Sequence, residues 1–299
     1  MSSSPKVAIL GSNGFLAKPV LDAFTTTFKE KVDFPILVIT RSAKDKVSTD
    51  KIKYVELELI EENLEKLYKA LEGIDVIIEL TQVTPPIISI VEKVVSHVKP
   101  KLFIPSQFGT ELDKTEEYLP GFLGIKDKHS ETIRSFGVKS IDIITSLFAT
   151  PGAFLYEIVG SVGVDAEAKT VQYRGDPDLK FPVSKLEDIG NVVAAIATNP
   201  NPTELPNKIR IYSDLVSQRQ VVETYEKNHN VKLSEKETIS AEESLKDAKQ
   251  RYAKGFSFAD FLFYLHTILA LGEDKGLGFS SDERELINPK QSLWKWGKF

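Results

Sequence analysis

One lysine heads an amphipathic stretch, Gly124-Ile-Lys126-Asp-Lys-His129-Ser-Glu-Thr-Ile133-Arg134, that runs into Gly137. Wound as a helix, this stretch places Lys126, His129, Ile133 and Gly137 along one face. Ile133 is apolar, so the face turns inward and Lys126 enters the interior at the first turn. Lys128 stands about 200° round the helix and belongs to solvent. A lysine so placed can deliver or relay a proton, and burial lowers its pKa toward neutrality because desolvation disfavours the ammonium form. The bland alternative is a surface lysine that merely opens a helix. His129 reads as a packing histidine rather than a relay.

A second set of residues lies near the chain start. Gly11-Ser12-Asn13-Gly14-Phe15-Leu16-Ala17 directly follows the apolar run 7–10 and precedes an amphipathic stretch. Close approach of backbone to a pyrophosphate calls for glycine at the tight turn and a small residue, here Ala17, where helix and sheet pack. The helix start then offers free N–H groups and the positive end of its dipole to the phosphates. The next apolar run ends in Thr40-Arg41-Ser42, with Lys44 and Lys46 close behind and no acid at the tip. An acid there receives ribose hydroxyls, whereas a basic residue accepts a 2′-phosphate. Arg41 suits bidentate, charge-assisted bonds to that phosphate, and Ser42 adds a hydroxyl. The alternative is a solvated basic loop. NADP(H) is therefore the expected cofactor, with Thr81, Gln82, Ser106, Gln107, Phe108, Lys126 and Phe148 joining the loop and the Arg41 tip as expected contacts.

These residues need elements to hold them. Apolar runs at 7–10, 35–40, 54–57, 75–78, 102–105 and 140–145 alternate with helix-like stretches at 14–28, 61–72, 85–98 and 125–136. Continuous apolar strands alternating with helices specify repeated βαβ units and a parallel sheet covered on both faces. The expected fold class is α/β, a Rossmann-type doubly wound parallel sheet with a smaller α+β C-terminal substrate subdomain. Residues 1–150 are expected to form the NADP-binding part and 151–299 the substrate side, packed as one unit. In the second part, helices are expected near 187–198, 217–229, 241–253 and 257–271, with loops at 199–202 and 271–279. Asp188 is expected to cap its helix. Phe108, Phe122, Phe148, Phe154 and Tyr156 are candidates for the wall of an apolar pocket. The aromatic tail could self-associate or fold back on its own core.

Composition closes off other chemistries. The 299 residues contain no cysteine, which excludes disulfides, thiolate nucleophiles, Fe–S clusters and Cys-ligated zinc. The four histidines lack metal-site spacing, so no metal is expected. Lys plus Arg total 38 against 43 Asp plus Glu, a formal charge of −5, which argues against binding nucleic acid by bulk attraction to phosphate. No apolar run reaches the roughly 18 residues of a membrane span. The opening Met1-Ser-Ser-Ser-Pro5 lacks the apolar segment of a secretory signal and reads as a short frayed lead-in, so a cytoplasmic location is expected.

Together the motifs resemble the NmrA-like group of atypical short-chain dehydrogenases, and within it the isoflavone reductase and phenylcoumaran benzylic ether reductase branch. The likeness is carried by the glycine loop, by Thr40-Arg41-Ser42 and by Phe103-Ile-Pro-Ser106-Gln107-Phe108-Gly109. Lys126 lies eleven residues before Gly137, the spacing of the branch's catalytic lysine. Ser146-Leu-Phe148-Ala149, Phe181-Pro-Val-Ser-Lys-Leu-Glu-Asp188-Ile189 and the stretch 215–226 extend the likeness over most of residues 6–250. Gln107 stands where the branch commonly has Glu, and Ala17 stands at the third loop position. The short-chain dehydrogenase pair Tyr-x-x-x-Lys is missing, because Phe122 precedes Lys126 by four. The resemblance implies NADPH-dependent reduction of a small aromatic or conjugated molecule, with Lys126 assisting proton transfer. Its alternative is an NADP(H)-sensing regulator without turnover, as in the NmrA regulators. The expected partner is a small-molecule substrate, with no nucleic acid and no membrane, and the chain is either a monomer or a homodimer.

Overall fold

The first apolar run forms β1 (Lys6–Leu10), whose last four residues are fully shielded from solvent. The chain continues through α1 (Ala17–Thr25), β2 (Asp33–Thr40), β3 (Ile52–Glu56), α2 (Leu64–Leu71), β4 (Val76–Glu79), α3 (Pro85–Val98), β5 (Leu102–Ile104), α4 (Ile125–Ser135) and β6 (Lys139–Ser140). This computed structural model describes residues 4–299; residues 1–3 of the lead-in lie outside the described residues. The six strands pair in parallel in the order β3-β2-β1-β4-β5-β6. Successive side chains of a strand point to opposite faces. Val7 and Ile9 accordingly join a core with α1, while Ala8 and Leu10 join a second core beneath α2, α3 and α4. This is the doubly wound Rossmann-like α/β arrangement.

Two elements differ from the sequence reading. The first helix is shorter than 14–28 because residues 12–16 stay in a turn and two threonines close its far end. The Thr25 hydroxyl donates to the Leu21 carbonyl at 2.9 Å and the Thr26 hydroxyl to the Asp22 carbonyl at 2.6 Å, competing with continued winding. The run 140–145 is not one strand. β6 stays in the main sheet, whereas β7 (Asp142–Ile144) leaves it to pair with a later strand. The exit is fixed at Asp142, whose carboxylate takes the Ser130 hydroxyl at 2.7 Å and the Arg134 guanidinium.

Beyond β8 (Leu147–Phe148), the chain forms β9 (Val164–Asp165), β10 (Thr170–Val171), β11 (Lys180–Ser184), α5 (Leu186–Ala197), β12 (Lys208–Arg210) and β13 (Asp214–Ser217). It then forms α6 (Gln218–His229), β14 (Ser234–Glu235), α7 (Ala241–Tyr252), α8 (Phe261–Ala270) and α9 (Arg284–Ile287). β12 is the parallel partner of β7, and β11 lies between β8 and β13. α5 packs on α1, so its Ile189, Val192 and Val193 complete the same core as Val7 and Val20. The crossing is close: a Cβ on Gly190 would stand 2.4 Å from the Pro19 carbonyl oxygen.

The aromatic tail folds back on the chain. Trp294 lies edge-on to Phe28 at 6.2 Å and packs with Trp296 against the core of α1 and α5, while Phe299 packs against a separate core built from the later elements. Asp188 does not cap α5. It sits buried in the first turn, and its Oδ2 accepts the Ser213 hydroxyl and, at 2.8 Å, the Gly297 N–H, so its partners come from distant chain. Burial raises the pKa of this carboxyl, and those hydrogen bonds offset the effect only in part. Gly190→Ala is expected to lower the unfolding free energy by about 1–3 kcal/mol in denaturant titrations, the range for overpacking a tight interface. A loss below about 0.5 kcal/mol, the level of an ordinary surface change, contradicts the close crossing.

Candidate active site

The expected cofactor and proton-transfer residues converge on the carboxyl edge of the sheet, where the strand order reverses between β1 and β4. Ligands of open parallel sheets bind in the crevice at such a switch point. The Leu80 N–H donates to the Leu10 carbonyl at 2.8 Å, and the Gly11 N–H donates to the Ile39 carbonyl at 2.9 Å. The loop after β1 thus lies across the ends of β2 and β4. Gly11 adopts φ +96°, and a Cβ there would stand 2.9 Å from the Leu80 carbonyl oxygen, so a side chain has neither the conformation nor the space. No side chain caps α1 and its first turn holds no acid, but the sequence expectation of several free N–H groups is not met: the Ala17 N–H donates to the Gly14 carbonyl at 3.3 Å and Pro19 has no N–H, so Lys18 offers the turn's unpaired backbone donor among the described residues.

A cleft of about 340 Å³ opens at this edge, lined by Gly11, Ser12, Asn13, Gly14, Arg41, Thr81 and Gln82 among others. The Ser12 hydroxyl donates to Thr40 Oγ1 at 2.8 Å, and Lys46 Nζ donates to the Ser12 carbonyl at 3.3 Å, fastening the loop to the end of β2. Arg41 and Ser42 stand exposed at the tip, and Arg41 forms no ion pair among the described residues. Leu16 turns its side chain into the core of α1 and α5, so it shapes the loop from below. Phe15 is 63% exposed and meets Phe154 edge-on at 4.7 Å, and Phe154 in turn meets Phe148 at 5.3 Å.

Those rings lead to a second cavity of about 200 Å³, with Gln107, Phe108, Lys126, Ser146, Phe148 and Phe154 in its wall beside leucines of α8. Of the five aromatic candidates, Phe108, Phe148 and Phe154 line it. Phe122 is instead core, stacked on Phe261 at 6.5 Å, and Tyr156 packs on Phe299 at 4.9 Å. Lys126 opens α4 on the inward side, while Lys128 is exposed. Burial lowers the Lys126 pKa, and the negative charges of Glu79 and Asp127 oppose that fall without cancelling it. Burial, helped by Asp142 and Asp113, pushes the Asp127 carboxyl up to about 6. Its Oδ1 accepts the Gln107 amide. A glutamate at 107 would instead set a second carboxylate against Asp127, so the departure at this position matches its neighbour.

Ser106 serves through its backbone: its N–H donates to Glu79 Oε2 at 3.2 Å. Glu79 was not picked out from the sequence. It ends β4 fully buried, with the Thr81 hydroxyl on Oε1 at 2.9 Å and His129 Nε2 at 3.4 Å from Oε2. The available signal was an acid closing the apolar run Asp75-Val-Ile-Ile-Glu79 at the strand's carboxyl end. His129 packs edge-on to Phe103 at 5.7 Å, and its Nδ1 lies 2.9 Å from Glu92 Oε1, so it is more than a packing residue. Burial alone would lower the imidazole pKa, but Glu79 and Glu92 outweigh it and raise it. Among the described residues no group of three His, Cys, Asp or Glu side chains could hold a metal ion, and no helix is long and apolar enough to cross a membrane.

The chain is 24% identical over 268 residues to an isoflavone reductase of Medicago sativa, covering 84% of this chain and 83% of the relative. It is 25% identical over 265 residues to phenylcoumaran benzylic ether reductase TP7 of Nicotiana tabacum, covering 83% and 82%. In structure it matches the binary complex of leucoanthocyanidin reductase and NADPH from Vitis vinifera with a TM-score of 0.68 and 17% identity, over 96% of this chain and 95% of that one. The model of the NmrA-like family matches residues 3–274. With a switch-point cleft, a glycine loop and a lysine-bearing cavity on one Rossmann-like frame, this chain belongs to the NmrA-like family.

Proposed function

We propose that the protein is an NADPH-dependent reductase of a small aromatic or conjugated organic molecule, with Lys126 supplying the proton. The observation that carries this reading is Lys126 in the wall of an apolar cavity, linked by Phe148, Phe154 and Phe15 to the switch-point cleft. The leucoanthocyanidin reductase of like fold, solved with NADPH, supports the cofactor. So do the residues present: the Gly11 turn, with its close backbone approach, and the acid-free first turn of α1 fit a pyrophosphate, and Arg41 with Ser42 and Lys46 fits a 2′-phosphate.

When bound, NADPH supplies the hydride. The chain's own residues do the rest. The Lys126 ammonium donates from Nζ to the substrate atom on which negative charge develops, as a general acid. Phe108, Phe148 and Phe154 give a planar ring edge and face contacts. The apolar wall excludes water, so the field of one cation acts at nearly full strength. A sensor that binds NADP(H) without turnover needs no cation inside such a cavity, which is why the reductase is preferred.

Calorimetric titration with NADPH is expected to show affinity weakened by about 2 kcal/mol, roughly 30-fold, in Arg41→Ala, with NADH binding unchanged. Absence of any dinucleotide binding overturns both the reductase and the sensor. In a panel of enones, quinones and aldehydes followed by NADPH oxidation, Lys126→Ala is expected to lose about 100-fold or more in kcat/KM while keeping NADPH affinity within a few-fold. Because the acid is the ammonium and burial lowers its pKa, wild-type kcat/KM should fall with rising pH through a value below the ordinary lysine range. NADPH binding with no turnover on any of the panel favours the sensor.

A further inference from the structure

The carboxylate of Glu79, fully buried at the end of β4, is touched from three parts of the site. Oε1 accepts the Thr81 hydroxyl at 2.9 Å, Oε2 accepts the Ser106 N–H at 3.2 Å, and His129 Nε2 lies 3.4 Å from Oε2. Thr81 lines the switch-point cleft, and its methyl lies over the glycine turn, 3.2 Å from where a Cβ on Gly11 would stand. Ser106 leads into Gln107 and Phe108 of the cavity wall. His129 sits on α4, one helical turn after Lys126. Cleft, wall and lysine-bearing helix therefore meet at one side chain, and the proton donation described above uses none of these contacts.

A carboxylate taken fully out of water is costly unless charge and hydrogen bonds compensate it. The charge that faces it is His129. That ring is wedged between Glu79 of β4 and Glu92 of α3, whose Oε1 lies 2.9 Å from Nδ1, while β5 presents Phe103 edge-on at 5.7 Å. Between two carboxylates the imidazole is held in its charged form against the pull of burial. A carboxylate is also the group that accepts at both oxygens, and this position asks for that: a hydroxyl at one, a backbone N–H and an imidazolium at the other. An apolar residue would close the strand more cheaply but leave the Ser106 N–H unpaired.

We infer that Glu79, with the His129 imidazolium as its counter-charge, is the positioning residue that sets Thr81 in the cofactor cleft against the Ser106 turn of the cavity wall. One oxygen fixes the Thr81 hydroxyl and so turns its methyl toward Gly11; the other holds the wall. This role rests on the NADP(H)-dependent reductase reading for its purpose.

The experiment is calorimetric titration of folded variants with NADPH, combined as a double-mutant cycle. Thr81→Val, which keeps the shape but removes the hydroxyl, is expected to weaken NADPH about fivefold, the effect of one ordinary hydrogen bond. Thr81→Ser, which keeps the hydroxyl, should bind within about twofold of wild type, inside the smallest such effect. Glu79→Met, apolar and of like length, should weaken NADPH at least as much as Thr81→Val, and adding Thr81→Val to it should cost nothing more, because both remove the same contact. Arg41→Ala, at the far end of the cleft, should multiply with either. A Glu79 that only stabilises the fold lowers the melting temperature without that non-additivity. The charge is read separately, from the His129 imidazole signals in NMR across pH: the wild-type midpoint should lie above the ordinary histidine value and fall in Glu79→Gln, which removes one of its two facing acids. Undiminished binding by Thr81→Val, factors that multiply in the double variant, or an unmoved His129 midpoint overturns the inference. If Glu79→Met does not fold, the Thr81 pair and the His129 midpoint decide. NADPH binding with multiplying factors sinks this role and leaves the reductase reading standing; a non-additive cycle with no substrate reduced does the reverse.

Discussion

One close backbone approach organises the site: Gly11 lies against the carbonyl of Leu80. It exists because β1 and β4 are neighbours at the point where the strand order reverses, and the ladder between them runs one bond beyond the strands, from the Leu80 N–H to the Leu10 carbonyl. The approach bends the glycine loop over the sheet edge and holds the first turn of α1 toward the cleft. The same step pairs Leu10 with Glu79 in register and so fixes the buried acid one residue before Leu80. The glycine loop and the buried acid therefore depend on a single contact. A side chain at position 11 would disturb both.

From that edge outward, the aromatic rings do what the glycine loop cannot. Phe15 leaves the loop for Phe154, and Phe154 reaches Phe148 in the cavity wall, so a packed apolar path joins the two compartments. A path of that kind shields the cavity on its cleft side with apolar surface, and Lys126 is a cation in the wall behind it. The polar atoms of the cavity are few, which suits a ligand that presents mainly ring surface.

Much of this was legible because it follows from period and position. Fully buried parallel strands write themselves as continuous apolar runs, and the inward face of α4 follows from helix geometry alone, with Ile133 about two turns beyond Lys126 on the same face. Glu79 was not legible, since an acid after Val-Ile-Ile reads as the solvated end of a strand until α3 and α4 are seen to cover it. Asp188 misled for a related reason. A local rule offered a helix cap, but its partners, Ser213 and Gly297, stand 25 and 109 residues further along. The break at Asp142 likewise comes from a distant strand, β12, which captures β7. Contacts local in sequence could be read, and those made by folding could not.

The tail has a consequence for motion. Trp294 and Trp296 pack, partly buried, against the core on the sheet's α1 side, Gly297 is tied to Asp188, and Phe299 is tied to Asp214 and packs against the other core. A few residues of chain therefore lace the two hydrophobic bodies together. Rigid-body hinging of one half away from the other would have to strip indole surface into water and break both carboxylate ties at once. Any opening of the cavity must instead come where side chains alone can swing aside, at its exposed lining residues Ile158 and Leu262, each of them at least a third exposed. Breathing at the rim, with a laced frame behind it, is the mode of opening this architecture permits.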